Sequence, residues 1–269
     1  MKLLGKLFIS GKIKVLTGLR IGGSRTDVAI GDIENCVIKT SEGVPYIPGS
    51  SLKGKLRSLL EKKEGLVNED QKKEDHQKKE DQKNQELHIH ICGRKDCKIC
   101  VIFGSAAEKR SEEAGPTRLI VRDCHLTEET KRKMENKEEE FKELELVYTE
   151  SKWENLIDRR TSRAMHPRPI ERVPQGAEFD FQMVFNIMET EDIERFEYLI
   201  SGLSLLEDDY LGGSGSRGYG RIEFRDLEIG FKAMKDYEEN NEPTLLYDGN
   251  LKDFNKDEFK EKLQKKLED

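Results

Sequence analysis

Residues 178–229 read EFDFQMVFNIMETEDIERFEYLISGLSLLEDDYLGGSGSRGYGRIEFRDLEI. Phe179, Phe181, Met183, Phe185 and Ile187 alternate with Asp180, Gln182 and Asn186. That period of two predicts a strand with one apolar face. Ile193, Phe196, Leu199, Ile200, Leu203 and Leu206 then recur at helical spacing. Thr190 is placed to cap that helix, and Glu191 and Asp192 suit its positive end. Five glycines follow within nine residues (Gly212, Gly213, Gly215, Gly218, Gly220), with Arg217 and Tyr219 between them. Arg221–Ile229 returns to a strand pattern. The unit is strand, helix, glycine loop, strand.

The N-terminal part repeats this logic. Leu7, Ile9, Ile13 and Val15 share one face of a strand over 6–16, with Lys6, Ser10, Lys12 and Lys14 on the other. A loop with Gly18, Gly22 and Gly23 follows. Tyr46-Ile47-Pro48-Gly49-Ser50-Ser51 then leads into a helix carrying Leu52, Leu56, Leu59 and Leu60, for which Ser50 or Ser51 is the expected N-cap. Thr117–Leu126 reads as a further strand. With the insertions set aside, the order is β–α–β–β–α–β. The predicted fold class is α+β, ferredoxin-like, a sheet type that often serves as an RNA platform.

The intervening segments differ in composition. Residues 62–86 are almost purely polar and nearly repeat themselves (Gln71-Lys72-Lys73-Glu74-Asp75, Gln77-Lys78-Lys79-Glu80-Asp81), so they bury no apolar surface. Residues 127–146 are charged. Trp153–Pro174 is rich in Arg and Pro and reads as a projecting irregular or hairpin element. The expected organisation is a palm over 1–231, interrupted at 62–116 and 127–176, with a charged extension over 232–269 in which Leu245, Leu246, Tyr247, Leu251 and Phe254 are packing points.

The net charge of the 269 residues is −7, which by itself disfavours a polyanionic partner. Its distribution restores that option: Met1–Leu60 holds ten Lys/Arg against four Asp/Glu, and the local field governs binding. There is no run of about eighteen apolar residues, so no membrane span is expected. The N-terminus goes straight into a strand pattern, so no signal peptide is expected. Five cysteines, three of them clustered, argue for a reducing, cytoplasmic setting and a metal site over a disulfide framework.

Several groups carry chemistry. His88, His90, Cys92, Cys97 and Cys100 form His-x-His-x-Cys-x4-Cys-x2-Cys. His90, Cys92, Cys97 and Cys100 would close a tetrahedral zinc site, with His88 as the competing fourth ligand; a closed shell of this kind is structural. Cys36 and Cys124 read as packing residues. The helix opened by Ser50 and Ser51 offers N–H groups and a positive dipole end to a phosphate. Lys53 and Arg57 share one of its faces, away from the leucines, and Lys55 another; the pattern fits a solvated basic face as well as a phosphate contact. In the glycine loop, Gly213, Gly215 and Gly218 let the backbone approach a polymer closely, and Arg217 suits a phosphate or a base face. A flexible surface loop fits the same glycines, which match neither a Walker loop nor a dinucleotide fingerprint.

Taken together, these motifs carry a resemblance. Thr17-Gly18-Leu19-Arg20-Ile21-Gly22-Gly23-Ser24, Ile47-Pro48-Gly49-Ser50-Ser51-Leu52-Lys53-Gly54-Lys55-Leu56-Arg57, Ile157-Asp158-Arg159, Glu171-Arg172-Val173-Pro174-Gln175-Gly176 and Gly212–Gly220 resemble the RAMP superfamily of CRISPR–Cas proteins. Within it they are most similar to the Cas-seven-type backbone subunits of type III-A, or Csm, effector complexes. The resemblance covers most of the chain apart from 62–86 and the tail. It implies a ferredoxin-like (RRM-like) palm with an inserted thumb hairpin at about 151–174 and a zinc-binding insertion. It further implies that copies stack along a CRISPR RNA with other subunits of the complex. Guide RNA would cross Arg20 and the Ser50–Arg57 helix, and Arg159 and Arg163 of the thumb would meet the guide–target duplex, with Met165-His166-Pro167 as a wedge at the thumb tip. It implies target-RNA cleavage with a divalent metal such as Mg, held by an acid in the loop Thr26–Cys36. The family's Asp aligns with Glu34, and Asp32 lies two residues earlier.

Overall fold

The computed structural model describes residues 2–23, 36–67, 89–105 and 114–268. The central strand is β1 (Gly5–Val15), whose Leu7, Ile9, Ile13 and Val15 are all buried. Opposite Gly11 the register with the strand over 222–233 shifts by one extra residue on that partner strand, where Asp226 has φ 49°, so its buried positions pass from Ile222 and Phe224 to Leu227, Ile229 and Phe231 and stay on one face. After β2 (Tyr46–Ile47) the chain enters α1 (Gly49–Lys63), then α2 (Lys98–Phe103). Next come β3 (Leu119–Val121), β4 (Cys124–Leu126) and α3 (Glu128–Glu135). A hairpin of β5 (Glu150–Ile157) and β6 (Ala164–Arg172) forms a separate two-stranded sheet. The second half runs β7 (Glu178–Ile187), α4 (Asp192–Glu207), β8 (Ile222–Ala233), α5 (Met234–Glu238), β9 (Thr244–Gly249) and α6 (Lys256–Glu268).

The fold is mixed α+β around an antiparallel sheet ordered β2-β4-β7-β1-β8-β9, with β3 also paired to β7. β1 lies between β7 (Gly5 opposite Ile187) and β8 (Gly5 opposite Ala233). The phenylalanines of β7 and β8 join α4 in one core: Phe181 meets Phe224 edge-on at 5.2 Å, and Phe185 meets Phe196 at 5.5 Å. Truncating one such ring costs about 3–5 kcal/mol. α1 crosses α4 closely: a Cβ on Gly202 would stand 3.0 Å from Leu60 Cδ1.

Both expected helix caps are replaced. Pro48 occupies the N-cap of α1, neither Ser50 nor Ser51 caps it, and the Gly49 N–H instead donates to Asp123 Oδ1 at 2.8 Å. Asp123 is free to do this because the expected strand over 117–126 breaks at Arg122-Asp123 into β3 and β4. At α4 the Thr190 side chain caps nothing; the wholly buried Asp192 carboxylate accepts from Met188 N (2.9 Å) and Glu189 N (3.2 Å) while paired to buried Arg118 at 3.0 Å.

The hairpin turn also differs from expectation. Asp158 Oδ1 accepts the Arg160 and Thr161 N–H groups, so the tip is Asp158–Arg163. Met165, His166 and Pro167 lie within β6, Met165 opposite Leu156. The C-terminal segment is integral to the sheet: β9 pairs with β8, and α6 stacks Phe259 on Phe196 at 5.2 Å. Of the expected packing points, Leu246 and Leu251 are buried and Leu245 is exposed.

Candidate nucleic-acid interface and metal centre

Three segments converge beside the end of β1: the loop Leu16–Gly23, the base of the hairpin and the glycine loop. Leu19 and Val173 exchange N–H···O bonds of 2.8 and 2.9 Å. Gly213 N donates to Arg20 O at 2.8 Å, and Gly220 N to Gly18 O at 3.1 Å. The glycines make this junction possible. Gly212 (φ +79°) faces Arg20 O, which a Cβ would reach at 2.3 Å, and a Cβ on Gly220 (φ +74°) would come within 2.0 Å of Leu211 O. A Cβ on Gly215 would enter the Tyr210 ring. These glycines therefore pack the loop against its neighbours; Gly218 (φ +84°) alone of those with positive φ in this loop faces open space.

Charged groups lace the same junction. Tyr219 is buried with Lys152 Nζ 4.6 Å and the Arg172 guanidinium 5.1 Å from its ring centre. Glu154 of β5 pairs with Arg217 of the glycine loop at 3.4 Å and with Arg168 of β6 at 3.6 Å. Arg217 stays half exposed, and Arg159 and Arg163 are exposed at the hairpin tip. The hairpin also exposes Trp153, Leu156, Ile157 and Met165.

The cations of α1 are engaged within the protein. Lys53 Nζ donates to Leu119 O at 2.9 Å, and burial, then the nearby Arg57 charge, lowers its pKa. Lys55 pairs with Asp209 at 3.3 Å and lies 3.6 Å from the centre of the Tyr210 ring. Arg57 pairs with Glu61 at 2.7 Å and donates to His90 O (2.6 Å) and Gly104 O (3.0 Å). Lys53 and Arg57 do share a face, but β3 and the cysteine segment cover it. Ser50 is exposed and Ser51 half-buried.

That cysteine segment brings His90, Cys92, Cys97 and Cys100 together, with their ligand atoms all within 4.8 Å of one another, a group that could hold a metal ion. His90 Nε2 is 3.3 Å from Cys97 Sγ, and Cys92 Sγ is 3.7 Å from Cys100 Sγ. Cys97 is the N-cap residue of α2 and Cys100 lies in its first turn. Hydrogen bonding from Cys97, aided by the Gly93 N–H, holds the Cys100 thiol down at about 5, and the same contact pushes Cys97 up. Cys124 is a packing residue, its thiol pushed up to about 12 by burial. The alternative ligand His88 lies outside the described residues, as do Asp32 and Glu34. The ends of that acid-bearing segment are described: Gly22 bridges Val37, Gly23 N donates to Cys36 O at 3.2 Å, and Ile38 N to Ile21 O at 2.9 Å.

Sequence reasoning missed Asp123, Glu154 and Glu171, all of which join segments distant in the chain. Glu171 does open the Glu171–Gly176 motif that carries the resemblance, but that motif gave the carboxylate no role of its own.

The sequence matches the model of the RAMP superfamily over residues 12–223. It is 43% identical over 240 residues, 88% of this chain and 86% of the relative, to the CRISPR system Cms endoribonuclease Csm3 of Methanocaldococcus jannaschii. It is 39% identical to the protein of the same name from Methanothermobacter thermautotrophicus, covering 92% of this chain and 95% of that one. Among solved structures it resembles a chain of the Csm3–Csm4 subcomplex in the type III-A CRISPR–Cas interference complex, with a TM-score of 0.57 and 32% identity over 100% of this chain and 97% of that one. The chain belongs to the RAMP superfamily and, within it, to the Csm3 family. No helix of the described residues is long and apolar enough to cross a membrane.

Proposed function

We propose that this chain is the CRISPR RNA-binding backbone subunit of a type III-A interference complex and that it cleaves target RNA in a metal-dependent manner, in the cytoplasm. The observation that carries this reading is the likeness to Csm3 endoribonucleases along nearly the whole chain. The partners are guide RNA, target RNA, further copies of this chain and other subunits of the complex.

In this reading the sheet order β4-β7-β1-β8, with α1 and α4 packed on it, is a ferredoxin-like palm, and β5–β6 is its thumb. Arg159 and Arg163 meet the duplex backbone. Arg217 and the open Gly218 face the guide; Gly213 and Gly215 shape that loop; Ser50 and Ser51 offer the start of α1. Arg20 lies at the same junction. Lys53, Lys55 and Arg57 act as braces that hold α1 in place, a role their internal partners support.

The cysteine segment is a structural zinc module. Zinc with bonds of about 2.3 Å to sulfur and about 2.0 Å to nitrogen separates tetrahedral ligands by roughly 3.5–3.8 Å. The 3.7 Å between Cys92 and Cys100 fits that edge, and the 3.3 Å between His90 and Cys97 is close to it. Four protein ligands fill the shell, so the ion stabilises the insertion and does no chemistry.

For cleavage, Glu34, with Asp32 close by in sequence, would hold a divalent ion through its carboxylate oxygens; when bound, that ion would supply Lewis-acid polarisation of the scissile phosphate or of the ribose 2′-hydroxyl. A non-catalytic scaffold is the second reading. It is favoured by Glu34 standing where the resemblance implies Asp, since one methylene shifts the oxygens by roughly an ångström.

The test is cleavage of guide-complementary RNA by the assembled complex. Cutting that stops with chelator and with Glu34→Ala is expected. Full cutting by the Glu34→Ala, Asp32→Ala double variant overturns the assignment of these acids. Binding without cutting by the native complex establishes the scaffold.

A further inference from the structure

Glu171 near the end of β6 is 2% exposed yet carries a carboxylate. Its three donors come from two distant segments. Oε2 accepts the Val37 N–H at 2.9 Å, while Oε1 accepts Lys39 Nζ at 2.6 Å and Thr149 Oγ1 at 2.7 Å. Two residues on, Val173 exchanges backbone bonds with Leu19. The segment that carries Asp32 and Glu34 leaves the described chain after Gly23 and returns at Cys36. Its outgoing leg is therefore tied to Val173 and its returning leg to Glu171, on one short stretch at the base of the hairpin.

A buried carboxylate is costly unless it is paired and fully hydrogen-bonded. An apolar residue like the neighbouring Ile170 would fill this strand position without that cost. What the carboxylate adds is a directional link. It holds a backbone N–H and an ammonium of the returning leg in one place relative to the hairpin strand.

We propose that Glu171 is a positioning residue for RNA cleavage, fixing the returning leg of the acid-bearing segment to the same hairpin base that anchors its outgoing leg. This inference rests on the cleavage reading above. Glu171 touches neither RNA nor the reacting atoms; it acts through Val37 and Lys39. Catalysis falls steeply when a reacting group is displaced, by about a hundredfold for roughly an ångström, whereas RNA affinity is spread over many phosphates. Loss of Glu171 should therefore separate rate from binding.

The experiment uses the assembled, guide-loaded complex with Glu171→Ala and, as a milder change that leaves the hairpin intact, Lys39→Met. Single-turnover cleavage, affinity for target RNA, and amide exchange at Val37 are measured together. We expect Glu171→Ala to cut about 10–100-fold more slowly, Lys39→Met about 3–10-fold more slowly, and both to bind target within about twofold of the native complex. The Val37 amide should exchange faster in Glu171→Ala. Glu171→Gln, which keeps one acceptor oxygen, should recover part of the rate. Variants that cut at the native rate, or that lose rate and affinity in parallel, overturn the inference while leaving the cleavage reading intact. A native complex that does not cut overturns both.

Discussion

Arg57 Nη2 donates to the carbonyl oxygen of His90 at 2.6 Å. A cation in the middle of α1 thus holds the backbone of a residue in the His/Cys group that could hold a metal ion, and its Nε and Nη1 reach Glu61 and Gly104 O. The cysteine segment has little core of its own beyond α2, so its docking depends on such links.

Arg57→Ala should therefore weaken the metal module as well as the helix. It leaves the buried Glu61 without its partner and the carbonyls of His90 and Gly104 without donors. The expected cost is about 2–4 kcal/mol. Thermal melting combined with zinc quantification checks it: the variant should melt lower and release zinc to a chelator faster, and Cys97→Ser should lose the zinc outright. Undiminished zinc in Cys97→Ser would refute the ligand set.

Two glycines of one loop should respond differently to the same substitution. Gly220→Ala combines left-handed φ with a Cβ 2.0 Å from Leu211 O, so the loop must move. Gly218→Ala meets left-handed φ but open space. Chemical denaturation should show a loss of about 1–2 kcal/mol for Gly218→Ala and more than about 3 kcal/mol for Gly220→Ala.

The β–α–β–β–α–β core was legible because its strands and helices bury one face each, and periodicity records that directly. The cysteine spacing likewise brought out the group of His90, Cys92, Cys97 and Cys100 that could hold a metal ion. What was not legible depends on partners far apart in the chain. Asp123 caps a helix 74 residues away, so the serines at the helix start looked like the cap. Lys53 and Arg57 show the spacing of a solvated face, and nothing local reveals that β3 and an insertion cover it. The charged tail hid Phe259 and Leu263, which are four residues apart and both buried. The glycine loop reads as open backbone, but three of its glycines are there because neighbouring atoms leave no room for a Cβ.

Glu171 gives a pH signature with a defined sign. Burial pushes its carboxyl up, but Lys39, Thr149 and the Val37 N–H outweigh it and hold the pKa below the usual glutamate range. A depressed folded pKa stabilises the fold fully above the unfolded value of about 4.3 and loses that contribution as pH falls through the folded value. The native protein should exceed Glu171→Gln in stability at neutral pH, and the gap should shrink below about pH 4. Melting temperatures of both proteins between neutral and acidic pH check this.

The central claim is that a protein of net charge −7 lays a locally cationic surface against an RNA backbone. The most direct measurement is guide-RNA affinity of the assembled complex as a function of salt, for the native chain and for Arg217→Ala. The account predicts that affinity falls linearly on logarithmic axes, and that the variant flattens the slope by roughly 0.7 per copy of the chain on the guide, one phosphate in each copy being no longer neutralised. An affinity indifferent to salt, or no affinity for RNA, would contradict it.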